Sequence, residues 1–593
     1  MEANTIHQKY NELAGLLLSE MNTEGYWTGR LSGSALSTAV AIVALKISDT
    51  RDGLKRIASG YDWLLKSIND DGGFGDTPES ASNVSTTLLC YSAISYCQLN
   101  GNGTNTLRRM EEWLYSKGIT LDPKNITRSI LKFYGKDLTF SVPILSMLHL
   151  AGVISSSSLK EIPGLPFELT LLPRSLYSFF NLRVVSYALP ALIGVGIYLH
   201  TQRRRRTLSL MSFRNIFIKP AIRKLNSLVP ESGGFLEAIP LTGFVAMCLV
   251  ACGKADSQTV QKGIGFLCRQ QRDDGSWPID TDLSTWVTTL SVKALGNDPC
   301  KHMSEKQRNI LREHLLGLQY NEIHPFNGAK PGGWGWTSYS GSVPDADDTP
   351  GAILALHELY TGTEREKNSI LDGCRWLIEL QNSDGGFPTF CKGWGRLPFD
   401  KSCSDLTGHA LLALMRTISC FGNNMDKRTQ QNIERSILKA AGYLEKHQGS
   451  DGSWIPLWFG NQKTDDQTNP VYGTAKVCTY LNDCLKLDKI DSHIKSRLAK
   501  MTEKGQDFLV RQQNNDGSWG GKKGVEGTLE ETSLAICALA SKNKESCSNG
   551  LEWLGKQRNM KSSPIGLYFS LLWYDEKLYP YIYMTEAYRR LLL

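Results

Sequence analysis

The sequence predicts an all-α protein whose paired helices close into α/α toroids, and three observations carry that reading. A turn element recurs as QRDDGSW (Gln271 to Trp277), QNSDGGF (Gln381 to Phe387), QGSDGSW (Gln448 to Trp454) and QNNDGSW (Gln513 to Trp519), with copies lacking the glutamine at Met21, Ile68 and Val229. Before most copies lies a phrase such as GIGFLCRQ or AAGYLEKH, with apolar residues spaced by three and four, which is the mark of an amphipathic helix. After each copy comes a small-residue, apolar stretch: TAVAIVAL, STTLLCYSAI, TGFVAMCLVACG, STWVTTLSVKAL, HALLALM and TSLAICALA. No sustained period-two alternation supports a strand architecture.

The unit is therefore helix, Asn/Asp-Gly turn, helix. The helix before the turn is amphipathic and belongs outside; the one after it has little polar surface and belongs inside. Repeats of this kind bury a continuous core between neighbours and leave a cavity lined by the inner helices. The tryptophan and glutamine of each turn are read as structural: the indole packs on one outer helix, and the amide satisfies helix-end groups.

With 593 residues the chain exceeds one ordinary core, so two or more domains are expected. A hydrophobic fraction of 41% and a charged fraction of 21% describe a globular protein. The net charge of +7 suits an anionic membrane surface at least as well as nucleic acid, and no nucleic-acid module is present. Fourteen cysteines are scattered singly, without CxxC pairs or a secretory signal, which leads to an expectation of reduced thiols in a cytoplasmic setting. The run VVSYALPALIGVGIYLH (Val184 to His200), followed by RRRR at Arg203 to Arg206, is slightly short for a membrane span and contains Pro190. It reads as a buried or membrane-dipping helix, with the basic cluster either solvated or touching lipid headgroups.

The stretch VPDADDTPGAILAL (Val343 to Leu356) sets Asp345, Asp347 and Asp348 just ahead of an apolar helix. One reading is capping: Thr349 as N-cap with Pro350 at the first helical position, and acidic residues favoured by the helix dipole. The glycine and distal glutamate of an EF-hand are missing. A second reading is chemical, because neighbouring carboxyls in a dry cavity raise one another's pKa and so retain a proton.

The Q-x3-G-x-W repeats combined with the D-x-D-D block resemble the class II terpene cyclases, squalene–hopene cyclases above all, along nearly the whole chain. The resemblance implies two α/α barrels: a catalytic one from residues 1–28 and 282–593, and a second, residues 29–281, inserted into it and carrying a membrane-contacting region. It also implies a peripheral (monotopic) membrane enzyme on the cytoplasmic side, an isomerase that cyclises squalene or a related linear polyprene without metal or cofactor. A homodimer stays open.

Residue by residue, Asp347 is matched to the general acid that protonates an alkene, and Asp345 and Asp348 hold its network. SDLTGHAL resembles the family's Asp-x-Thr-x-His segment, making His409 the imidazolium partner of the acid and Asp405 a nearby carboxylate. A carbocation needs aromatic faces in place of nucleophiles. KPGGWGW places Trp336 opposite the second forming ring; LSTWVTTL places Trp286, and GSWIPLWFGN places Trp458, on the cavity wall. GGFPTF offers Phe390, VVSYALP offers Tyr187, and NPVYGT resembles the family's Tyr-Gly-Thr motif with Tyr472 near the acid.

Two departures touch late rings and termination. GYWTGRLSGSALSTAVAIVAL lacks the acidic pair that family members carry after Gly-Tyr-Trp. The tail SSPIGLYFSLLWYDEKLYP offers Tyr568, Phe569, Trp573 and Tyr574, with Ser and Leu near two expected phenylalanines. Product identity therefore does not follow from the resemblance. Other readings are a cyclase of a prenyl diphosphate or a prenylated aromatic (a meroterpenoid precursor), a zinc-dependent protein prenyltransferase β-like subunit, and a non-catalytic lipid- or protein-binding toroid. No clear separate acidic Mg²⁺ motif supports the first, and no cysteine in a ligand motif supports the second.

Overall fold

A computed structural model describes residues 3–50, 53–99, 103–135, 138–173, 176, 179, 185–204, 213–296, 302–393, 395, 397–488, 491–567 and 571–593. Among them, six inner helices form a closed ring. Ser284–Leu295 packs on Asp348–Glu358, then Ser404–Phe421, Pro470–Leu485, Leu529–Leu539 and Tyr579–Arg590, which returns to the first. A second ring runs through Ala35–Ser48, Val84–Cys97, Leu138–Leu150, Val185–Arg204 and Ile239–Ala251, and closes on Ala35–Ser48. The inner helices are buried almost all round: every residue from Ala35 to Leu45, and every residue of Leu529–Leu539, is inside. Outer helices such as Gln258–Gln270 bury one stripe, Val260, Ile264 and Leu267 among it.

Two hydrophobic cores follow from the two rings. One draws on Tyr10 to Trp27 and on Trp286 to Tyr588. The other draws on Ala35 to Trp277, joined by Phe326, Val343 and Cys391. Phe390 and Phe399 pack against both. One β element departs from the all-helical expectation: Phe459–Gly460, Ile565–Leu567 and Leu572–Tyr574 form a small antiparallel sheet in that order. These ladder bonds satisfy backbone groups of a tail segment that is not helical.

The turns act as the clamps their sequence suggests. The indole N–H of Trp27, Trp277, Trp334, Trp454 and Trp519 donates to a leucine carbonyl of the preceding outer helix, at 2.7 to 3.0 Å. Each turn glutamine spans to the next repeat: Gln381 donates to Gly385 O (2.8 Å) and Ser436 O (3.0 Å), and Gln448 to Gly452 O (3.0 Å) and Met501 O (2.9 Å). A threonine of the following inner helix completes the clamp, accepting the backbone N–H of the turn aromatic, as Thr474 does for Trp454 (2.9 Å) and Thr407 for Phe387 (3.0 Å). Gly452 must be glycine: its φ is +92°, and an added Cβ would lie 2.3 Å from Lys504 O. A further clamp was hidden by an insertion, since Gln319 bonds Gly332 O (2.8 Å) and Ser369 O (2.9 Å) and works with the distant Trp334.

No helix among the described residues is long and apolar enough to cross a membrane. The helix Val185–Arg204 instead builds the second core, with Ile193, Val195, Ile197, Tyr198 and Leu199 buried. It runs through Pro190, near its N-terminus, where few backbone bonds are at stake. Arg203 is not a free headgroup ligand, because its guanidinium donates to Leu159 O (2.8 Å) and to Ile162 O. Arg205 and Arg206 lie outside the described residues.

Candidate active site

The acidic stretch is tied down by its own backbone. Asp345 N–H donates to Trp334 O (2.9 Å) and Ala346 N–H to Thr389 O (2.8 Å). Asp345 Oδ1 then accepts the N–H groups of both Asp347 and Asp348, each at 2.8 Å. This corrects the capping expectation. The helix starts at Asp348, two residues before Pro350, and Asp345 serves its open N–H groups. Thr349 is already inside the first turn, and its hydroxyl accepts Trp334 N–H at 3.0 Å as a clamp threonine.

Asp345 and Asp348 are each 2% exposed and Asp405 is 4% exposed. Asp345 Oδ2 and Asp348 Oδ1 have no hydrogen-bond partner among the described residues. Burial pushes Asp348 well above the usual carboxylate range, and the charges of Asp345 and Asp347 push it further. Asp345 is also raised by burial, against the pull of its two backbone N–H bonds. Burial drives Asp347 well above its usual range, with Asp345 and Asp405 adding to the effect and Lys476 opposing it. Asp347 keeps some accessible surface while lying deep in the protein. Both facts hold if its carboxyl faces an internal hollow: depth sets the desolvation, whereas accessible surface registers any gap a water could enter.

The helix Ser404–Phe421 brings Asp405 and His409 one turn apart, on one face. Cys403 Sγ donates to Asp405 Oδ1 at 2.6 Å and accepts Leu457 N–H at 3.1 Å, a support that sequence reasoning missed although Cys403 stands only two residues before Asp405. His409 stacks on Tyr480 (4.6 Å between centroids, 11° between planes) and meets the edge of Trp286 at 6.1 Å. Its Nδ1 has no partner among the described residues, and no hydrogen bond joins it to Asp347. Burial, then Lys476 and Lys293, hold the His409 ring well below its usual pKa, a direction opposite to the one an imidazolium partner of the acid needs.

The aromatic residues form two groups. Tyr187, Trp336, Phe390 and Trp458 come together, joined by Phe399, which the sequence reading did not single out. Phe390 lies 5.2 Å from Tyr187, 5.9 Å from Trp336, 5.6 Å from Trp458 and 5.3 Å from Phe399. Polar tips are satisfied: the Tyr187 hydroxyl donates to Phe390 O (3.2 Å), Trp336 Nε1 to Asp280 (3.3 Å) and Trp458 Nε1 to Thr389. Trp286 and Tyr472 sit apart from this group. With Tyr480 and Tyr583 they surround the buried amine of Lys476, at 5.5, 6.0, 5.2 and 5.8 Å respectively. Lys476 was also missed.

At the other end, Tyr568 and Phe569 lie outside the described residues. Trp573 is buried, with its backbone N–H on Asp76 (2.8 Å), and Tyr574 and Tyr579 share a hydroxyl contact of 3.2 Å. Glu576 reaches back to the stretch after Gly25-Tyr26-Trp27, accepts Arg30 N–H at 2.7 Å, and is pushed up to about 7 by burial. Among the described residues no three His, Cys, Asp or Glu side chains are arranged to hold a metal ion.

Comparison with known proteins decides the family. Residues 11–148 match the squalene-hopene cyclase N-terminal domain, and residues 283–564 match the squalene-hopene cyclase C-terminal domain. The chain belongs to the squalene–hopene cyclase family. Within this family it is 22% identical to a squalene–hopene cyclase of Alicyclobacillus acidocaldarius, over 81% of this chain and 79% of that protein. It is 22% identical to the enfumafungin synthase of Hormonema carpetanum, over 93% of this chain but 45% of that protein. A terpene cyclase–glycosyl transferase fusion protein of Humicola fuscoatra is 26% identical over 52% of this chain and 24% of its own length. The chain thus spans less than half the length of these two fungal relatives.

Proposed function

We propose that this squalene–hopene cyclase family member is a protonation-initiated cyclase of squalene or a related linear polyprene. One observation carries the reading: Asp347, its pKa driven well above the usual carboxylate range by burial, follows Ala346, whose N–H donates to Thr389 O (2.8 Å) next to Phe390, while Trp458 donates to the Thr389 hydroxyl, so the acid sits at the edge of the aromatic group. Burial and the neighbouring carboxyls keep the Asp347 proton in place at neutral pH. When the proton moves, the Asp347 O–H bond breaks and an alkene π pair forms the new C–H bond, leaving a tertiary cation. The next alkene attacks that cation, and the charge migrates ring by ring. The cascade ends when a C–H proton is lost, giving an isomer of the substrate, or when water adds and loses a proton. Trp336, Phe390, Phe399, Trp458 and Tyr187 stabilise the travelling charge without offering a nucleophile, each face contributing roughly 0.5–2 kcal/mol. Asp345 fixes the loop, and Asp348 and Asp405 keep the site's proton affinity high.

The two cores support a catalytic barrel of residues 1–28 and 282–593 and an inserted barrel of residues 29–281. A membrane-facing patch on the inserted barrel is supported by exposed Leu169, Leu172, Phe213 and Ile216, carried by two segments that pack together. Such a patch lets an oily substrate enter from a bilayer. The prenyltransferase alternative needs three metal ligands, and the described residues do not converge in that way. The test is expression in a squalene-producing host with mass spectrometry of the neutral lipids. A new product isomeric with squalene, or heavier by one water, is the expected result. Unchanged lipids there, with cyclisation of a prenyl diphosphate or prenylated aromatic instead, would move the substrate class; no cyclisation of any polyprene would overturn the reading.

A further inference from the structure

The site holds a buried lysine that the proposed reaction does not use. Lys476 is 3% exposed, on the inner helix Pro470–Leu485. Among the described residues its amine has no hydrogen bond and no ion pair, although it lies between 5.2 and 6.0 Å from the centroids of four rings. A buried amine without a hydrogen-bonding partner is costly, and the fold has not removed it.

Its surroundings narrow its role. The nearby Glu586 is already engaged, by Lys293 at 3.1 Å and by Arg590 at 2.8 Å, and Arg590 also holds Asp483 at 2.5 Å. On Leu529–Leu539, Glu531 accepts the amides of Asn461 and Asn469, and Glu530 accepts Ser563 N–H. On Ser404–Phe421, His409 is stacked, with its pKa held down by burial, and Asp405 Oδ1 takes the Cys403 thiol. The phenols of Tyr472, Tyr480 and Tyr583 are all raised by burial and stay protonated. What remains open to the amine is the Asp347 carboxyl and the second oxygen of Asp405; of the two only Asp347 gives up a proton in the proposed reaction, and its helix meets the same histidine: a Cβ on Gly351 would lie 3.5 Å from His409 Cε1.

We infer that Lys476 is the electrostatic partner of Asp347, its ammonium stabilising the carboxylate left when the proton moves to the alkene. The inference rests on the proposed function for the identity of the proton acceptor. Lys476 is a positioning residue: it acts through Asp347 and does not touch substrate. The four rings stabilise the ammonium in its buried position. Trp286 and Tyr472 thereby serve the lysine, and cation stabilisation falls to the group around Phe390. Lys476 is lowered to about 8 by burial, with Lys293 lowering it further and Glu586, Asp347 and Asp405 raising it.

Two measurements test this. The first is a stability cycle of Asp347→Asn, Lys476→Met and the double variant, read by thermal unfolding from pH 5 to pH 10. The partnership predicts additive effects at the acid end, where Asp347 is neutral, non-additivity at intermediate pH, and a return toward additivity above about pH 8, where Lys476 loses its charge. Additivity at every pH overturns it. The second is turnover of whichever polyprene the wild type cyclises. Lys476→Met is expected to lose at least about 100-fold in kcat while remaining folded. Lys476→Arg should retain more, with the alkaline limb of the wild-type profile, near pH 8, moved upward. Wild-type turnover and pH profile in Lys476→Met would overturn the proposal. If the wild type cyclises no polyprene but the stability cycle is non-additive, the function proposed above fails and the pairing stands.

Discussion

The repeat clamps and the acid end use the same kinds of residue to opposite ends. At the Trp454 turn the indole, the Gln448 amide and the Thr474 hydroxyl each have their partner, and the glycine fits only because it has no side chain. At the acid end, Asp345 Oδ2, Asp348 Oδ1 and His409 Nδ1 are buried without a hydrogen-bond partner among the described residues, and Lys476 is a buried residue whose amine makes no hydrogen bond among them. Leaving a buried polar group unpaired costs about 1–3 kcal/mol, more when it carries charge. The clamps use their polar groups to hold helices together, whereas the acid end holds its own in reserve for a reaction. Folding free energy is concentrated in the first and sacrificed in the second.

Substitutions should separate the two regions sharply. Asp347→Asn is expected to lower product formation by roughly 10⁴-fold, because the amide is nearly isosteric but donates no proton to an alkene. Its thermal unfolding at neutral pH should not be lowered, because the amide escapes the cost of keeping a buried carboxyl protonated, and residual activity near wild type would remove Asp347 from its role. Trp454→Ala should do the reverse, costing about 3–5 kcal/mol of stability by opening a cavity and orphaning Leu444 O. Turnover per folded molecule should survive, as read from a denaturant titration beside an activity assay; equal loss of both would blur the distinction between clamp and site.

Lys476→Met sharpens it from the side of pH. The folded protein holds this lysine at about 8, against 10.5 as its ordinary value. Between those values the unfolded chain binds a proton that the folded chain does not, so wild-type stability rises with pH there. Below about pH 8 the folded state carries the whole penalty, on the order of 3 kcal/mol. The methionine variant should therefore be the more stable one below pH 8, with its advantage shrinking toward pH 10.5. A variant destabilised at pH 6 would make Lys476 a structural residue. The smallest effect belongs to Gln381→Ala, at about 2 kcal/mol, since three neutral hydrogen bonds are lost and none is charged.

Much of this contrast is legible in the amino-acid sequence. The turn motif is local: Gln, Gly and Trp act within a few residues of one another, so their spacing survives in the chain. The split clamp of Gln319 and Trp334 was not legible, because an insertion separates its parts while leaving their contact intact. Asp347 could be picked out because three carboxyls crowd one loop. The signal for Lys476 was present: Tyr472, Lys476 and Tyr480 repeat every four residues, so all three share one helix face. A lysine on a helix more often reaches the surface, and only the neighbouring helices show that this one ends among four aromatic rings.

The sequence by itself determined the all-α toroid, the acidic loop and the aromatic inventory, since each is written in periodicity or in adjacent residues. Only the tertiary structure decided which groups meet: that His409 stacks on Tyr480, that Trp286 and Tyr472 lie around Lys476, and that Phe399 joins the other rings. Protonation and pairing depend on burial and on distances of a few ångströms between helices far apart in the chain. Dielectric and Coulomb effects act through space, and a linear sequence does not record them.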